Sequence, residues 1–277
     1  MNGMNTDPLP DETHYIVFTD LDATLLDHET YSHAPAQPAI NFLIREDIPL
    51  VFVTSKTQPE VERLQKKMGL CAPFIIENGG AIFIPRCCSR LFKADHDADY
   101  EIITLGETYD ACTTLLDDLK VRFGLRGFSH MHRDEVAERT GLHEESARMA
   151  KTRYCSEPFV MEDESRLEEL KAVVGAEGFT VTKGGRFYHL VGKNQSKGTA
   201  VKALLERAEA ATGLKFRSIA LGDSENDFSM LKSVDLPVLI PKHDGSYAPI
   251  RLPNLIKAPY PGPKGWNAVL QELLNAA

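Results

Sequence analysis

Two aspartates, Asp20 and Asp22, follow a short apolar segment near the start of the chain. Because they are two residues apart in extended backbone, their carboxylates are expected to point to the same side, with Leu21 turned into the core. Paired carboxylates suit Mg²⁺, which prefers oxygen ligands and keeps positions for water and substrate phosphate. With its repulsion toward phosphate reduced in this way, Asp20 can attack a phosphate ester, and Asp22 can serve as general acid and base.

Polar side chains also follow three other strand-like segments of the chain. They are Thr54-Ser55-Lys56, Glu77-Asn78 and Gly222-Asp223. Each group alone is typical of an ordinary turn, since turns favour Asp, Asn, Ser and Gly. In a parallel α/β sheet, however, reactive groups collect beyond the carboxyl ends of the strands. Together with Asp20, these groups therefore predict one site that holds carboxylates, hydroxyls and an amide.

The segments between these groups alternate between strand and helix patterns. Apolar strand patterns and helical spacings cover, in turn, residues 15–19, 35–46, 48–53, 59–68, 73–76, 198–212, 218–221, 227–232 and 236–240. This order predicts an α/β fold with a doubly wound, mainly parallel, Rossmann-like sheet. The middle of the chain differs, with a strand at 101–105 followed mostly by helical patterns, and it predicts an inserted α+β cap. We expect a core domain of residues 1–85 and 191–277 and a cap of residues 86–190.

The bulk composition restricts the partners of the protein. The chain has 277 residues, a formal net charge of −9 and no cluster of basic residues, which disfavours nucleic acid. Five cysteines without a Cys-x-x-Cys pair indicate reduced thiols. No secretory signal or long apolar run is visible, so we expect a cytoplasmic protein with no membrane partner. Composition leaves a monomer and a homodimer equally open.

Four short segments carry the candidate chemistry: Asp20-Leu21-Asp22-Ala23-Thr24, Ser55, Lys197-Gly198 and Gly222-Asp223-Ser224-Glu225-Asn226-Asp227. In order and spacing they resemble the four motifs of the haloacid-dehalogenase-like phosphatases, over residues 15–241. The resemblance implies that Asp20 is the nucleophile and Asp22 the acid and base. The implied phosphate-binding residues are Thr54, Ser55, Lys197 and Asn226. The implied Mg²⁺ ligands are Asp20, Asp22 through its backbone carbonyl, Asp223 and Asp227.

Further segments resemble the large-capped, mannosyl-3-phosphoglycerate phosphatase branch of that family. They include Thr54-Ser55-Lys56-Thr57, Ser156-Glu157-Pro158-Phe159, Gly184-Gly185-Arg186-Phe187-Tyr188-His189 and Gly262-Pro263-Lys264-Gly265-Trp266. This likeness implies a small phosphorylated sugar-glycerate substrate, either the mannosyl or the glucosyl compound. A guanidinium suits the glycerate carboxylate, which makes Arg153 and Arg186 candidates. Ser156, Glu157 and His189 are candidates for sugar hydroxyls, and Asn78 is a candidate from the core side.

Other functions remain open from the sequence. A broader sugar-phosphate phosphatase would use the same motifs. A phosphate-ligand binding protein without turnover is a second alternative, because Ala23 stands where members of the family usually carry glycine. A Cβ there disfavours a backbone with positive φ. A dinucleotide-binding domain has the least support, since Gly79-Gly80 is not part of a Gly-x-Gly-x-x-Gly motif.

Overall fold

A computed structural model describes residues 13–93, 98–184 and 187–275 of the chain. The strands within these residues are β1 (His14–Thr19), β2 (Leu50–Val53), β3 (Phe74–Ile76), β4 (Ala81–Pro85), β5 (Tyr100–Thr104), β6 (Leu125–Gly127), β7 (Ser156–Met161), β8 (Phe179–Gly184), β9 (Phe187–Gly192), β10 (Phe216–Gly222), β11 (Leu236–Leu239) and β12 (Ile256–Lys257). The α-helices are α1 (Gln37–Arg45), α2 (Gln58–Met68), α3 (Ser89–Phe92), α4 (Tyr109–Phe123), α5 (Arg133–Thr140), α6 (Glu144–Ala150), α7 (Leu167–Ala176), α8 (Lys197–Thr212), α9 (Phe228–Leu231) and α10 (Gly262–Asn275). None of these described helices has the length and apolar character that crossing a bilayer requires.

The larger sheet has the strand order β12-β11-β10-β1-β2-β3-β4-β5. Neighbouring strands from β12 to β3 are parallel, whereas β4 and β5 are antiparallel to their neighbours. The predicted mainly parallel sheet is therefore confirmed. Strand β1 lies between β2 and β10. From β1 the chain first adds β2 and β3 on one side and later adds β10, β11 and β12 on the other, so the strand order reverses at β1. The carboxyl ends of these three strands consequently open at one switch point, where α/β proteins bind ligands.

Helices cover both faces of this sheet, as a doubly wound fold requires. Successive side chains of β1 point to opposite faces. Val17 belongs to a core built with α1, α2 and α10. Phe18 belongs to a second core built with α3, α8 and α9. The alternation explains why β1 reads as a continuous apolar run, because a strand buried on both faces needs apolar side chains at every position.

The smaller sheet is antiparallel and has the order β6-β7-β9-β8. One of its faces packs against α4 and α7 and contains Phe159. The other face carries Ser156 and Pro158 from β7, together with His189, which is the register partner of Pro158 on β9. The predicted insertion of an α+β cap into the α/β core is confirmed.

One predicted cap element pairs with the core instead. The strand predicted at 101–105 is observed as β5, which pairs with β4 at the edge of the larger sheet. The smaller sheet starts only at β6 and its last strand ends at Gly192. We therefore propose that the cap begins after β5 and ends near residue 192. The local pattern of β5 could not reveal this, because periodicity reports burial and not the pairing partner.

A disulfide joins Cys71, which follows α2, to Cys87, which precedes α3. Their Cα atoms are 6.5 Å apart, within the range that a disulfide spans. The expectation of reduced thiols was therefore wrong for this pair. Cys88, Cys112 and Cys155 are free.

Candidate active site

Asp20 directly follows β1 at the centre of the carboxyl edge of the larger sheet. Its backbone N–H donates to the carbonyl of Leu221 on β10 at 2.9 Å. Its Oδ1 lies 2.5 Å from Nζ of Lys197, the buried first residue of α8. Burial raises the pKa of Asp20, Lys197 opposes that rise, and neighbouring carboxylates add to it. The candidate nucleophile thus lies in a low-dielectric site in contact with the cation of Lys197.

Asp223 and Asp227 complete a buried acidic group with Asp20. One carboxylate oxygen from each of the three lies within 4.8 Å of the others. Nζ of Lys197 is also 2.6 Å from Oδ1 of Asp227, so one ammonium bridges two of the carboxylates. Burial alone would lower the pKa of Lys197, but Asp20 and Asp227 outweigh it and keep the amine charged. Burial and the charge of Asp227 raise the pKa of Asp223 to about 6. Converging oxygen donors of this kind can hold a hard divalent cation, which would offset their mutual repulsion.

The loop after β10 fixes the position of Asp227. Oδ2 of Asp227 accepts hydrogen bonds from the backbone N–H groups of Asp223 at 3.0 Å and Ser224 at 3.1 Å. A Cβ at Gly222 would lie only 2.5 Å from Cβ of Asp227, so glycine permits this close approach. Oγ1 of Thr24 donates to Oδ1 of Asp223 at 3.4 Å and links the first motif to the last.

The predicted phosphate-binding residues lie after β2, at the start of α8 and in the turn Glu225–Asp227. Thr54 is fully buried, and its Oγ1 accepts the backbone N–H of Lys56 at 3.1 Å. Its carbonyl accepts the N–H of Asn78 at 2.9 Å. Nδ2 of Asn226 donates to Oδ1 of Asn78 at 3.4 Å, which joins the ends of β3 and β10. Ser55 is half-buried, so its hydroxyl is the more accessible of the two at the end of β2.

The Asp22 carboxylate is not part of the acidic group of Asp20, Asp223 and Asp227. Its side chain is 43% exposed, and Oδ1 lies 2.9 Å from Nζ of Lys56. Burial would lower the pKa of Lys56, but Asp22 and Glu60 outweigh it and raise that pKa. An exposed carboxylate beside a fixed cation can exchange protons with solvent and substrate. Any metal contact from Asp22 therefore rests on its backbone carbonyl, as the motif resemblance implies.

Arg153 and Ser156 are buried where the smaller sheet meets the core. The Arg153 side chain is 3% exposed, and its Nε lies 3.3 Å from Oε2 of the buried Glu77. The guanidinium also donates to Oγ of Ser156 at 2.7 Å and to the carbonyl of Ser55 at 3.3 Å. The Ser156 hydroxyl donates to the same oxygen of Glu77 at 2.6 Å. Because protein groups already satisfy this guanidinium, the arrangement argues against the predicted substrate contacts of Arg153 and Ser156.

Glu157 lies on the opposite face of the smaller sheet. It is fully buried, and its Oε1 accepts from both the backbone N–H and the hydroxyl of Ser129 at 2.7 Å. It shares its face with Phe159, which packs in the core formed with α4 and α7. Glu157 therefore holds the Ser129 turn through Oε1, while its Oε2 has no hydrogen-bond partner among the described residues. Its place on the face that packs against α4 and α7 argues against the predicted contact with sugar hydroxyls.

His189 lies on the face of the smaller sheet that includes Ser156. It is 7% exposed, and its Nδ1 has no hydrogen-bond partner among the described residues. The same is true of Oγ1 of Thr182, its register partner on β8. Burial and the charge of Arg153 lower the pKa of His189 to about 3, so the ring is neutral. Strand β8 also contacts the turn Glu225–Asp227, which carries one member of the acidic group.

Thr182 was missed by the sequence analysis. No local pattern singled it out, because its place opposite His189 follows only from the register of β8 and β9. Arg186, the second candidate for the carboxylate, lies outside the described residues, so its role stays a prediction. Lys193, four residues before Lys197 in the sequence, is exposed, whereas Lys197 is buried in contact with Asp20.

Residues 17–242 match the sequence profile of the haloacid dehalogenase-like hydrolases. The chain belongs to this family. It is 44% identical over 261 residues to the glucosyl-3-phosphoglycerate/mannosyl-3-phosphoglycerate phosphatase of Persephonella marina, covering 94% of this chain and 97% of that protein. It is 41% identical over 267 residues to the protein of the same name from Methanococcoides burtonii, with the same coverage. A solved structure from Thermoplasma acidophilum has a TM-score of 0.68 at 17% identity, over 95% of this chain and 99% of that one, and shares the fold.

Ala23 is the position at which this haloacid dehalogenase-like hydrolase departs from the glycine expected of the family. Its φ is +59°, in the left-handed region that a Cβ disfavours. The surrounding turn is held by two hydrogen bonds to the carbonyl of Leu21, from the N–H of Thr24 at 3.3 Å and of Leu26 at 2.8 Å. The loop therefore keeps a conformation suited to glycine, and alanine strains it.

Replacing Ala23 by glycine is expected to stabilise the hydrolase. Relief of the left-handed strain exceeds the added entropy of the unfolded chain, so Ala23→Gly should raise the free energy of unfolding by about 0.5–1 kcal/mol in urea denaturation. Ala210 provides the control, because it is exposed on α8. Ala210→Gly should lower the free energy of unfolding by about 1 kcal/mol. A similar loss from both substitutions would contradict the strain at Ala23.

Proposed function

We propose that this hydrolase is a Mg²⁺-dependent phosphatase that cleaves mannosyl-3-phosphoglycerate or glucosyl-3-phosphoglycerate to the glycosylglycerate and phosphate. The observation that carries the proposal is the buried group of Asp20, Asp223 and Asp227, with Lys197 bridging two of its members. The names of the two relatives, which match nearly the whole chain at more than 40% identity, support the substrate.

Mg²⁺ fits the acidic group because the available donors are all hard oxygens. When bound, it supplies positive charge that reduces the repulsion between Asp20 and a phosphate dianion. The charged amine of Lys197 offsets negative charge on the oxygens of the transferring phosphoryl group, and the hydroxyl of Ser55 and the amide of Asn226 donate hydrogen bonds to them. Thr54 supports the contact of Ser55 with phosphate indirectly. Its buried hydroxyl accepts the N–H of Lys56 and orders the turn that carries Ser55.

In the first step, a carboxylate oxygen of Asp20 forms a bond to phosphorus while the ester P–O bond breaks. The electron pair leaves with the glycerate oxygen, and Asp22 donates a proton to it. In the second step, Asp22 takes a proton from water as the water oxygen attacks phosphorus. The bond between Asp20 and phosphorus breaks, its electron pair returns to the carboxylate of Asp20, and phosphate leaves. The exposed position of the Asp22 carboxylate suits both proton transfers.

The smaller sheet supplies the contacts for the leaving group. Neutral His189 and Thr182 each have a buried polar atom without a partner among the described residues, and such atoms favour a ligand hydroxyl. Asn78 lies on the core side, where its Oδ1 accepts a hydrogen bond from Nδ2 of Asn226. With Arg153 engaged by Glu77, Arg186 becomes the candidate for the glycerate carboxylate.

A substrate panel tests this proposal. Phosphate release should be measured with Mg²⁺ on mannosyl- and glucosyl-3-phosphoglycerate, on 3-phosphoglycerate and on glucose 6-phosphate. We expect kcat/KM to be about 100-fold higher for the glycosyl phosphoglycerates, because buried polar groups of the cap stay unpaired with the smaller substrates. Similar values for all four would favour a broad sugar-phosphate phosphatase. Binding of the panel without phosphate release would favour a binding protein.

Substitution of Arg186 tests the carboxylate contact separately. Arg186→Ala should lower kcat/KM for glycosyl phosphoglycerates by about 10- to 100-fold, the effect of losing a charged hydrogen-bonding pair. Glucose 6-phosphate lacks the carboxylate, so its kcat/KM should stay nearly constant. Arg126→Ala is the control, because Arg126 is an exposed cap arginine paired with Glu135. Equal losses on both substrates would remove Arg186 from this role.

A further inference from the structure

The C-terminal motif Gly262-Pro263-Lys264-Gly265-Trp266 begins α10, and its last residue contacts β1, the strand that Asp20 follows. Trp266 is the one tryptophan of the sequence and is fully buried. Its indole Nε1–H donates to Oγ1 of Thr19 at 2.9 Å. The Thr19 hydroxyl, also fully buried, donates in turn to the carbonyl oxygen of Asp20 at 2.7 Å. Two consecutive hydrogen bonds therefore connect α10 to the backbone of the nucleophile.

A glycine in the motif explains how Trp266 can lie so close to β1. A Cβ at Gly265 would lie 1.8 Å from the carbonyl oxygen of Tyr260, so only glycine permits this packing of the chain on itself. Nζ of Lys264 lies 4.1 Å from the centre of the Tyr260 ring and covers the turn from outside. The first turn of α10 is thus held close to the preceding chain, and Trp266 is directed into the core beside β1.

The backbone of Asp20 is consequently held from two directions. Its N–H is bound by the carbonyl of Leu221 on β10, and its carbonyl is bound by the hydroxyl of Thr19. Asp20 lies beyond the last residue of β1. Residues within β1 are fixed by pairing with the neighbouring strands. At Asp20 this role passes to the hydrogen bonds made by Leu221 of β10 and by the pair of Thr19 and Trp266. Both side chains of that pair are buried, so the loss of either leaves a polar group without a partner.

We propose that Thr19 and Trp266 are positioning residues for phosphoryl transfer. Their hydrogen bonds hold the carbonyl of Asp20, which aims its carboxylate at phosphorus, and neither side chain contacts the substrate. This inference rests on the proposed role of Asp20 as nucleophile. Since Ser55 and Lys197 are proposed to bind the phosphate, loss of the Thr19 hydroxyl should act on kcat and not on KM.

Thr19→Val and Thr19→Ser provide a matched pair for the test. Valine keeps the shape of threonine but removes the hydroxyl, whereas serine keeps the hydroxyl. With Mg²⁺ and mannosyl-3-phosphoglycerate, Thr19→Val should lower kcat by about tenfold or more, because small displacements of a nucleophile are costly, while KM stays within about twofold. Thr19→Ser should recover most of kcat. Trp266→Phe, which removes the indole donor, should lower kcat in the same direction and provides a second variant if Thr19→Val does not fold.

Fluorescence gives a readout that does not depend on activity. Because Trp266 is the only tryptophan, its emission reports this one hydrogen bond without interference. Thr19→Val should shift the emission maximum to shorter wavelength, whereas Thr19→Ser should leave it near that of the wild type. Equal kcat values for the two Thr19 variants, or a change confined to KM, would overturn the positioning role. A wild-type protein that releases no phosphate from any panel substrate would overturn the nucleophile proposal itself, even if the emission shift were observed.

Discussion

Asp20→Asn is expected to lower the kcat for phosphate release by about 10⁴-fold or more, the scale of losing a catalytic nucleophile. An amide cannot form the aspartyl-phosphate, because its oxygen is a weak nucleophile and its nitrogen carries no free lone pair for attack. The fold should persist, since asparagine has the same shape and its oxygen can still accept from Nζ of Lys197. Removal of one buried carboxylate from the group also lowers its internal repulsion.

Asp118→Asn provides the control for this substitution. Asp118 is an exposed residue of α4, remote in sequence from all four motifs. The control should have the kcat, KM and urea midpoint of the wild type. The Asp20→Asn variant should have a urea midpoint at least as high as that of the wild type and retain binding of inorganic phosphate, measured by calorimetry. More than a tenth of the wild-type kcat in Asp20→Asn would contradict the assignment of the nucleophile.

Removal of divalent cations is expected to have the second largest effect. Three carboxylate oxygens converge within 4.8 Å, and among the described residues Lys197 contacts only two of these carboxylates. A phosphate dianion would meet excess negative charge there without a metal. Treatment with EDTA should therefore lower kcat by about 10³-fold or more, and added Mg²⁺ should restore it.

A stability measurement separates metal binding from turnover. A cation that binds only the folded state raises the melting temperature by mass action. Mg²⁺ should therefore raise the melting temperature of the wild type and have a smaller effect on Asp223→Asn, which loses one carboxylate of the group. Activity that persists in metal-free buffer, together with a melting temperature insensitive to Mg²⁺, would refute the metal site.

The residues at the centre of the candidate site could be predicted from the sequence because most of them directly follow strands. Asp20 and Asp223 directly follow apolar runs, and the rule that parallel strands open their carboxyl ends at one edge brings them together. Lys197 was identified through the motif resemblance alone, since a lysine at a helix start is usually a solvated charge. The structure buries it in contact with two carboxylates.

The contacts made by the cap were harder to predict from the sequence, because they depend on pairs of segments that are far apart in the chain. Arg153 was chosen for its charge, but its partner Glu77 lies 76 residues earlier and engages the guanidinium. Glu157 and His189 belong to neighbouring strands and face opposite sides of the sheet, which follows only from the register of β7 and β9. The bond between Thr19 and Trp266 spans 247 residues and had no local signal.

Acid quenching of the wild type during turnover of mannosyl-3-phosphoglycerate, followed by peptide mapping, tests the central claim most directly. An aspartyl-phosphate intermediate should be trapped on the peptide that contains Asp20, and it should be absent from Asp20→Asn and from protein treated with EDTA. Phosphate release with no phosphorylated peptide, or with the phosphoryl group on another residue, would contradict the proposed function of this site.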